Sequence, residues 1–321
     1  MSHPEIIIPF GLPPAEHAKD LINMLASECG TEGLACLLTR HGSIERVRYD
    51  DFATSLPHEQ WLSKRHQMSP LQYCQQNLGV HLDPGFWFLL NPVHLHVAST
   101  HLVLTDYRQL NVTDHESRLL FERATLLCDE VGLQLVYGDA THWFLRADQW
   151  SEFETASPDA ACGHNIDIWS PKGEAVLGWR KLQNEIQMDW FIHPVQEQRQ
   201  QRGERAINGL WMSSGTKINA AEVTPPVLSD PQATDSLALT PSNTVLEQLR
   251  SAALASDWGT WVHLMIDLDR SYFTTIVHAL KKRQVTQVDL FLSNNNSLLH
   301  VQTTTNSLRQ FWRRPNFKSL L

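Results

Sequence analysis

Three histidines crowd one short stretch of the chain: His94, His96 and His101. Residues i and i+2 of a strand share a face, so His94 and His96 could both address one ion. No cysteine or carboxylate with ligand spacing accompanies them, and Asp106 is the nearest acid. The alternative is the polar outer face of a half-buried strand. A second set is Asn184, Glu185, Asp189 and His193. Glu185, Asp189 and His193 fall at i, i+4 and i+8, hence on one face of a helix. Carboxylates beside an imidazole suit a metal or proton transfer, or a solvated face with local ion pairs. Nucleophile and phosphate motifs are missing: GxSxG, GxxxxGK[ST] and GxGxxG do not occur. Trp211-Met212-Ser213-Ser214-Gly215-Thr216 reads as a small-residue turn after a strand. Its amides and hydroxyls could hold an anion, or it is an ordinary surface turn. The C-terminal stretch interleaves Arg309, Arg313, Arg314 and Lys318 with Phe311, Trp312 and Phe317. Such mixtures bind single-stranded nucleic acid by phosphate contact and stacking, or pack their aromatics on the body.

The elements that must position these residues follow from periodicity. IIIPF reads as a short buried strand, and Ala15 to Glu28 as a helix with Ala18, Leu21, Ile22 and Leu25 inward. Gly30 is its expected stop. Residues 41–84 are polar and irregular, with a short helix from Ser69 to Asn77. FWFLL (86–90), VHLHV (93–97) and HLVL (101–104) read as strands. Thr113 and Glu116 make a capping box for a helix carrying Leu119, Leu120, Leu126 and Leu127, which Gly132 ends. LQLVY (133–137) and HWFLR (142–146) form a hairpin around Gly138-Asp139. Strand-strand-helix-strand-strand predicts one α+β unit with a helix on a sheet face.

The longest predicted helix runs from Ala175 to Arg202. Trp179, Leu182, Ile186 and Trp190 form one apolar stripe, while Met188, Phe191 and Val195 line an adjacent face. Two apolar faces imply burial on more than one side. Pro194 breaks the helix near His193. Ile207 to Met212 is a strand. Residues 217–242, with Pro225, Pro226, Pro231 and Pro241, read as a linker. Beyond it come a helix (Asn243 to Ala255), a strand (261–266), a helix (Tyr272 to Lys282) and two strands, VDLFL and LLHVQ. The expected organisation is a 1–216 domain, the 217–242 linker, and a small 243–321 α/β unit with a basic tail. The fold class is α/β, mixed α+β.

Composition excludes several classes. Apolar residues make up 42% of the 321, enough for a sizeable core, so whole-chain disorder is excluded. An apolar run such as Phe86 to Leu90 is far short of the ~20 residues of a spanning helix. No signal peptide is visible in MSHPEIIIPF. Five scattered cysteines (Cys29, Cys36, Cys74, Cys128, Cys162) without CxxC spacing fit reduced thiols in a cytoplasm. The net charge of −9 is uneven. From Arg270 onward there are eight Lys/Arg against Asp289 alone, a net of +7, which leaves −16 for residues 1–269. The acidic body repels nucleic acid, while the basic tail attracts it or docks on the body.

The stretch LGWRKLQNEIQMDWFIHPVQEQRQQRGERAINGLWMSSGT (177–216) resembles RpfE-type bacterial regulatory proteins, and Phe86 to Pro171 fits the same group. The distinctive parts are the LQNEIQM helix, the HPV turn, the Arg-rich exit and NGLW. The group is distantly similar to archaeal-type, cofactor-independent phosphoglycerate mutases, mostly in their inserted domain. That resemblance implies a mutase-like α/β scaffold. The parent family interconverts 3- and 2-phosphoglycerate with two divalent metals and a Ser or Thr nucleophile. This chain departs from it. Its first strand region reads EIIIPFGLPP (5–14), with no Asp-Gly motif and no Asp before Asp20. Its C-terminal part offers Asp267, Asp269, His278 and Asp289 without the family's spacing. Gln196 and Met212-Ser213 also differ from the family pattern. A two-metal site needs several carboxylates and histidines, and none assembles here.

The chain is therefore expected to be a non-catalytic cytoplasmic regulatory protein without a cofactor. It would bind a phosphorylated small molecule or a protein partner through Asn184, Glu185, His193, Arg199, Arg202, Asn208 and Trp211. Arg199 and Arg202 suit phosphate or carboxylate. Asn184 and Asn208 would hydrogen-bond ligand or fix the turn. One alternative is a diverged metal-dependent phosphoglycerate mutase or phosphatase. Another is a nucleic-acid-associated regulator acting through the tail, although nucleic acid is the less expected partner and a membrane is not expected.

Overall fold

The computed structural model describes residues 3–28, 33–98, 101–219 and 244–321. Cys29, Gly30 and residues 220–242, most of the expected linker, lie outside them. In chain order the strands and helices are β1 (Glu5–Ile8), α1 (Ala18–Glu28), α2 (Leu34–Thr39), β2 (Ser43–Arg48), α3 (Pro57–His66), α4 (Pro70–Leu78), β3 (Gly85–Val93), β4 (Leu95–Ala98), β5 (His101–Leu104) and α5 (Asp114–Glu130). Then follow β6 (Gln134–Tyr137), β7 (Trp143–Arg146), α6 (Pro158–Ala161), α7 (Ile166–Trp169), α8 (Val176–Phe191), α9 (Pro194–Gln201), β8 (Gly209–Ile218), β9 (Thr244–Val245), α10 (Arg250–Leu254), α11 (Trp258–Leu268), α12 (Thr274–Lys281), β10 (Gln287–Ser293) and β11 (Ser297–Thr304). The fold is mixed α/β. Its contacts divide into two units, Met1–Trp61 with Thr234–Leu321, and Leu62–Ala233. The division differs from a boundary at 216, because β1 pairs with β10 and β9 rather than with the middle of the chain.

The first unit is built on a five-stranded sheet, ordered β2-β11-β10-β1-β9. β9, β1 and β10 are parallel; β10, β11 and β2 are antiparallel. Ile6, Ile8, Leu290, Leu292, Leu299 and Val301 point to one face and join Leu21, Leu25, Leu37, Trp261, Met265, Phe273 and Val277 in one core. Alternation sends Asp289 and Phe291 to the other face. The expected stripe of α1 (Ala18, Leu21, Ile22, Leu25) is buried. α2 begins at Gly33, which has no side chain to cap it. Asp269, from the π-helical turn after α11, supplies the missing acceptor to Leu34 N at 2.5 Å. A Cβ at Gly33 would stand 2.1 Å from Asp269 Oδ1, so only glycine admits that approach.

Three sequence expectations need correction here. Residues 261–266 are helical, not a strand: Trp261, Val262, Met265 and Ile266 are buried at i, i+1, i+4 and i+5, and Asp257 caps the helix through Thr260 N. Residues 244–255 start as the short strand β9 before α10. Residues 41–84 are not irregular, since they hold β2 and α3. β2 is an edge strand exposed along its length, so SIERVR shows no apolar alternation.

The second unit has a four-stranded antiparallel sheet, β6-β7-β3-β8. Phe88, Leu90, Trp143, Leu145 and Met212 meet α5 and α8 residues such as Leu120, Trp179, Ile186 and Trp190 on one face. Trp87, Leu89, Phe144 and Ile218 pack with Leu71 and Leu82 on the other. Buried indoles keep their N–H groups satisfied: Trp143 donates to Ser117 Oγ and Trp190 to Leu120 O. The capping box of α5 forms with both of its hydrogen bonds, and Gly132 follows the helix at φ 72°. The 213–216 segment is no turn. It lies inside β8, where Ser214 at φ 56° marks a bulge against β3. Residues 217 and 218, expected in the linker, finish that strand. The second apolar face is corrected in part: Trp179, Leu182, Ile186 and Trp190 are buried and so is Val195, on α9, but Met188 and Phe191 are exposed. Cys74, Cys128 and Cys162 carry free thiols that burial pushes up to about 12. Among the described residues no helix is long and apolar enough to cross a membrane.

Candidate functional site

The candidate residues lie on α8, on α9 and its exit, and at the start of β8. Pro194 supplies no N–H and occupies the first position of α9, and His193 before it is the N-cap, its Nδ1 accepting from Val195 N at 3.3 Å. Gln196 then ties α9 to the approach to β8, with Nε2 donating to Ile207 O at 2.7 Å and Oε1 accepting from Ile207 N at 3.0 Å.

Arg199 points inward and is 0% exposed. Its guanidinium donates to Arg205 O (2.7 Å), Glu116 Oε2 (3.0 Å) and Leu110 O (2.5 Å). Arg202 reaches the other oxygen of Glu116 and also Glu204 Oε2 at 2.8 Å. Glu116 is itself buried and accepts from Thr113 N and Oγ1. Burial pushes its carboxyl up, but the Thr113 hydrogen bonds and the two arginines outweigh that and leave it below the usual carboxylate range. Asn208 is likewise spent on the backbone, accepting from Leu95 N at 2.7 Å and donating to Leu95 O at 2.8 Å. Trp211 is buried and donates to Ala156 O at 2.9 Å.

The outer face of α8 holds the rest. Asn184 is exposed. Glu185 lies 3.8 Å from Lys181, and Asp189 makes a two-pronged contact with Arg123 of α5. Arg123 holds the Asp189 carboxyl low, while burial lowers His193 despite Asp189 nearby. Glu185 and Asp189 stand on α8, but His193 lies beyond its end as the extended N-cap of α9, so the expected single helical face stops at Asp189. Beside them Met188, Phe191 and Ile192 stand 74%, 82% and 81% exposed. This apolar tip is what the periodicity concealed, because the residues resembled a second buried stripe.

The other constellations are also occupied internally. His94 Nδ1 meets Ala206 O at 2.8 Å and His96 Nδ1 meets Thr105 Oγ1 at 3.3 Å, with their rings stacked 6.0 Å apart. Burial lowers the His94 pKa. His101 stands on β5, paired opposite Ala98. The C-terminal acids do not converge. Asp269 caps α2, while Asp289 lies on the opposite face of the first unit's sheet with His300, Gln287 and Gln302. These residues do not fit the metal pair implied by the mutase resemblance.

Two features escaped the sequence. At the carboxyl ends of β1 and β10, where open α/β sheets usually hold ligands, Ser293 Oγ is 3.0 Å from His58 Nδ1. A hydroxyl beside an imidazole is the pairing that activates a nucleophile, but both residues are 0% exposed and Ser293 Oγ also accepts from Phe10 N. The second is a small cleft lined by Ser170, Trp179, Arg180, Gln183 and Trp211. Nothing in the sequence pattern singled out Arg180.

No family model and no curated protein matches the chain. Among solved structures it is similar to the cofactor-independent phosphoglycerate mutase from Thermoplasma acidophilum, at 15% identity and a TM-score of 0.40, covering 100% of this chain and 94% of that one. It is also similar to the PH0037 protein from Pyrococcus horikoshii, at 11% identity and a TM-score of 0.46, covering 99% of this chain and 92% of that one.

Proposed function

We propose that the chain works by binding rather than by chemistry, as a regulatory protein that docks a protein partner on the outer face of α8. The exposed tip of Met188, Phe191 and Ile192 carries this reading. Contiguous exposed apolar residues rimmed by polar ones mark interaction sites. Lys181, Asn184 and Glu185 supply such a rim one to two turns back along the helix. The same helix is anchored from behind by Trp179, Leu182, Ile186 and Trp190, so the tip is presented on a rigid support. The resemblance of residues 177–216 to RpfE-type regulatory proteins points the same way. Phosphate recognition is less supported, since the two arginines suited to it already face carboxylates.

A photoreactive residue at position 192 should yield one discrete protein adduct in cells, and the same residue at Val97 should not. M188E/F191E should abolish the adduct, while the melt stays within about 0.5 kcal/mol, as for surface substitutions generally. An adduct unaffected by M188E/F191E, or none specific to position 192, would sink the reading.

The mutase alternative makes a different demand. Thermal melts in Mn²⁺ and 3-phosphoglycerate, separately and together, are expected to coincide with the unliganded melt. A ligand at 100 times its dissociation constant would add about 2.7 kcal/mol. A joint shift of that size would restore the enzymatic alternative.

A further inference from the structure

The basic C-terminal stretch is neither a free tail nor wholly packed away. Phe317 and Leu320 are buried in the core of the first unit, and Leu308 is buried ahead of them. Between these anchors the chain is pinned again: Thr39 Oγ1 donates to Asn316 O at 3.1 Å and accepts from Asn316 N at 3.0 Å. The intervening loop holds Phe311 and Trp312 outward, 79% and 68% exposed, in an edge-to-face pair 5.3 Å apart. Exposing two large rings is costly unless something covers them. Their neighbours are basic on both sides, Arg309 before and Arg313 and Arg314 after.

The fold adds cations that the linear pattern did not contain. Arg40, at the end of α2, donates to Arg313 O at 3.3 Å. Arg46, on edge strand β2, donates to Ser319 O at 2.7 Å. Arg40 therefore lies against the loop itself, and Arg46 against the segment that follows it. The Arg313 guanidinium donates to the Thr39 carbonyl at 3.4 Å. None of Arg40, Arg46, Arg309, Arg313, Arg314 and Lys318 forms an ion pair among the described residues. Unneutralised cations around two bare rings fit a polyanion that also carries flat apolar faces.

We propose that the 309–316 loop, with the end of α2 and the face of β2 beside it, binds single-stranded nucleic acid. The arginines hold phosphates, and Phe311 and Trp312 stack on bases. A lipid surface is the weaker match. A broad anionic surface is sensitive to the chain's net charge of −9, whereas a narrow strand is sensitive to the local patch.

The test is fluorescence anisotropy of a labelled 20-nucleotide oligo-deoxythymidine against the full chain, from 50 to 200 mM salt. One phosphate contact for each of Arg40, Arg46, Arg309, Arg313 and Arg314 predicts a log–log salt slope of about −3.5. R309A/R314A should weaken binding and flatten the slope by about 1.4. F311A/W312A should weaken binding at least about fivefold with the slope unchanged, from lost stacking. These side chains are exposed, so both variants should melt like the parent. Four results would overturn the proposal. They are no binding at 50 mM salt, binding insensitive to either variant, equal competition by a 20-base-pair duplex, and capture by phosphatidylserine vesicles in place of the oligomer.

Discussion

Arg199→Ala should cost about 3–5 kcal/mol of stability in urea unfolding at neutral pH, the range for removing one partner of a buried ion pair. The guanidinium is fully buried and serves three acceptors, Glu116 Oε2, Leu110 O and Arg205 O. Its loss orphans two carbonyls and leaves the buried carboxylate with Arg202 as its remaining cation beside the Thr113 hydrogen bonds. Arg199→Lys should not rescue, since a single ammonium cannot span acceptors arranged for a planar fork. The carboxylate side gives a signed dependence on pH. Glu116 is held below its unfolded value, about 4.3 for a free Glu. Its contribution is therefore fully present above that unfolded pKa and is lost as pH falls through the folded one. Stability in acid should decline less steeply in Glu116→Gln than in the parent, from a lower starting point. An Arg199→Ala variant within 1 kcal/mol of the parent would show that the network contributes little.

Trp261→Ala should cost a similar amount in the first unit, about 3–5 kcal/mol for a buried Trp truncated to Ala. The ring is fully buried in the core of that unit. Its Nε1 donates to Phe10 O at 2.8 Å, and Phe10 is a non-glycine residue at φ 58°. The indole thus fills volume and also fastens an unfavourable backbone conformation beside β1. Trp261→Phe separates the two roles. It keeps most of the ring and removes the donor, so its cost should be the smaller 1–3 kcal/mol, roughly, of a buried carbonyl left unpaired. Equal losses for the two variants would mean that volume is not what Trp261 supplies.

Both residues show where reading a single chain stops. The stripe Trp179, Leu182, Ile186 and Trp190, the capping box of Thr113 and Glu116, the 133–146 hairpin and the break at Pro194 were all legible, because each is a local rule expressed within a few residues. Trp261 sat in WVHLMI, where β-branched and aromatic residues suggest a strand, and tertiary packing decided for a helix instead. β2 was illegible for the opposite reason: an exposed edge strand can be charged throughout. Arg199 and Arg202 looked like ligand-binding arginines because their partner, Glu116, lies more than eighty residues earlier. The clue was present in Glu116, whose role as a cap placed a carboxylate at a fixed spot on the α5 surface.

The parallel pairing of β1 with β10 has a consequence for synthesis. β1 finds its partners β9 and β10 only after the intervening residues, including the whole of the second unit, have been made. The second unit is continuous in sequence, its described sheet strands all falling between Gly85 and Ile218, so it can close first. During that interval the EIII run has both backbone edges open and apolar side chains on either side of them. The waiting strand, rather than the finished protein, is then where aggregation would begin, and where a chaperone would have its longest opportunity to act.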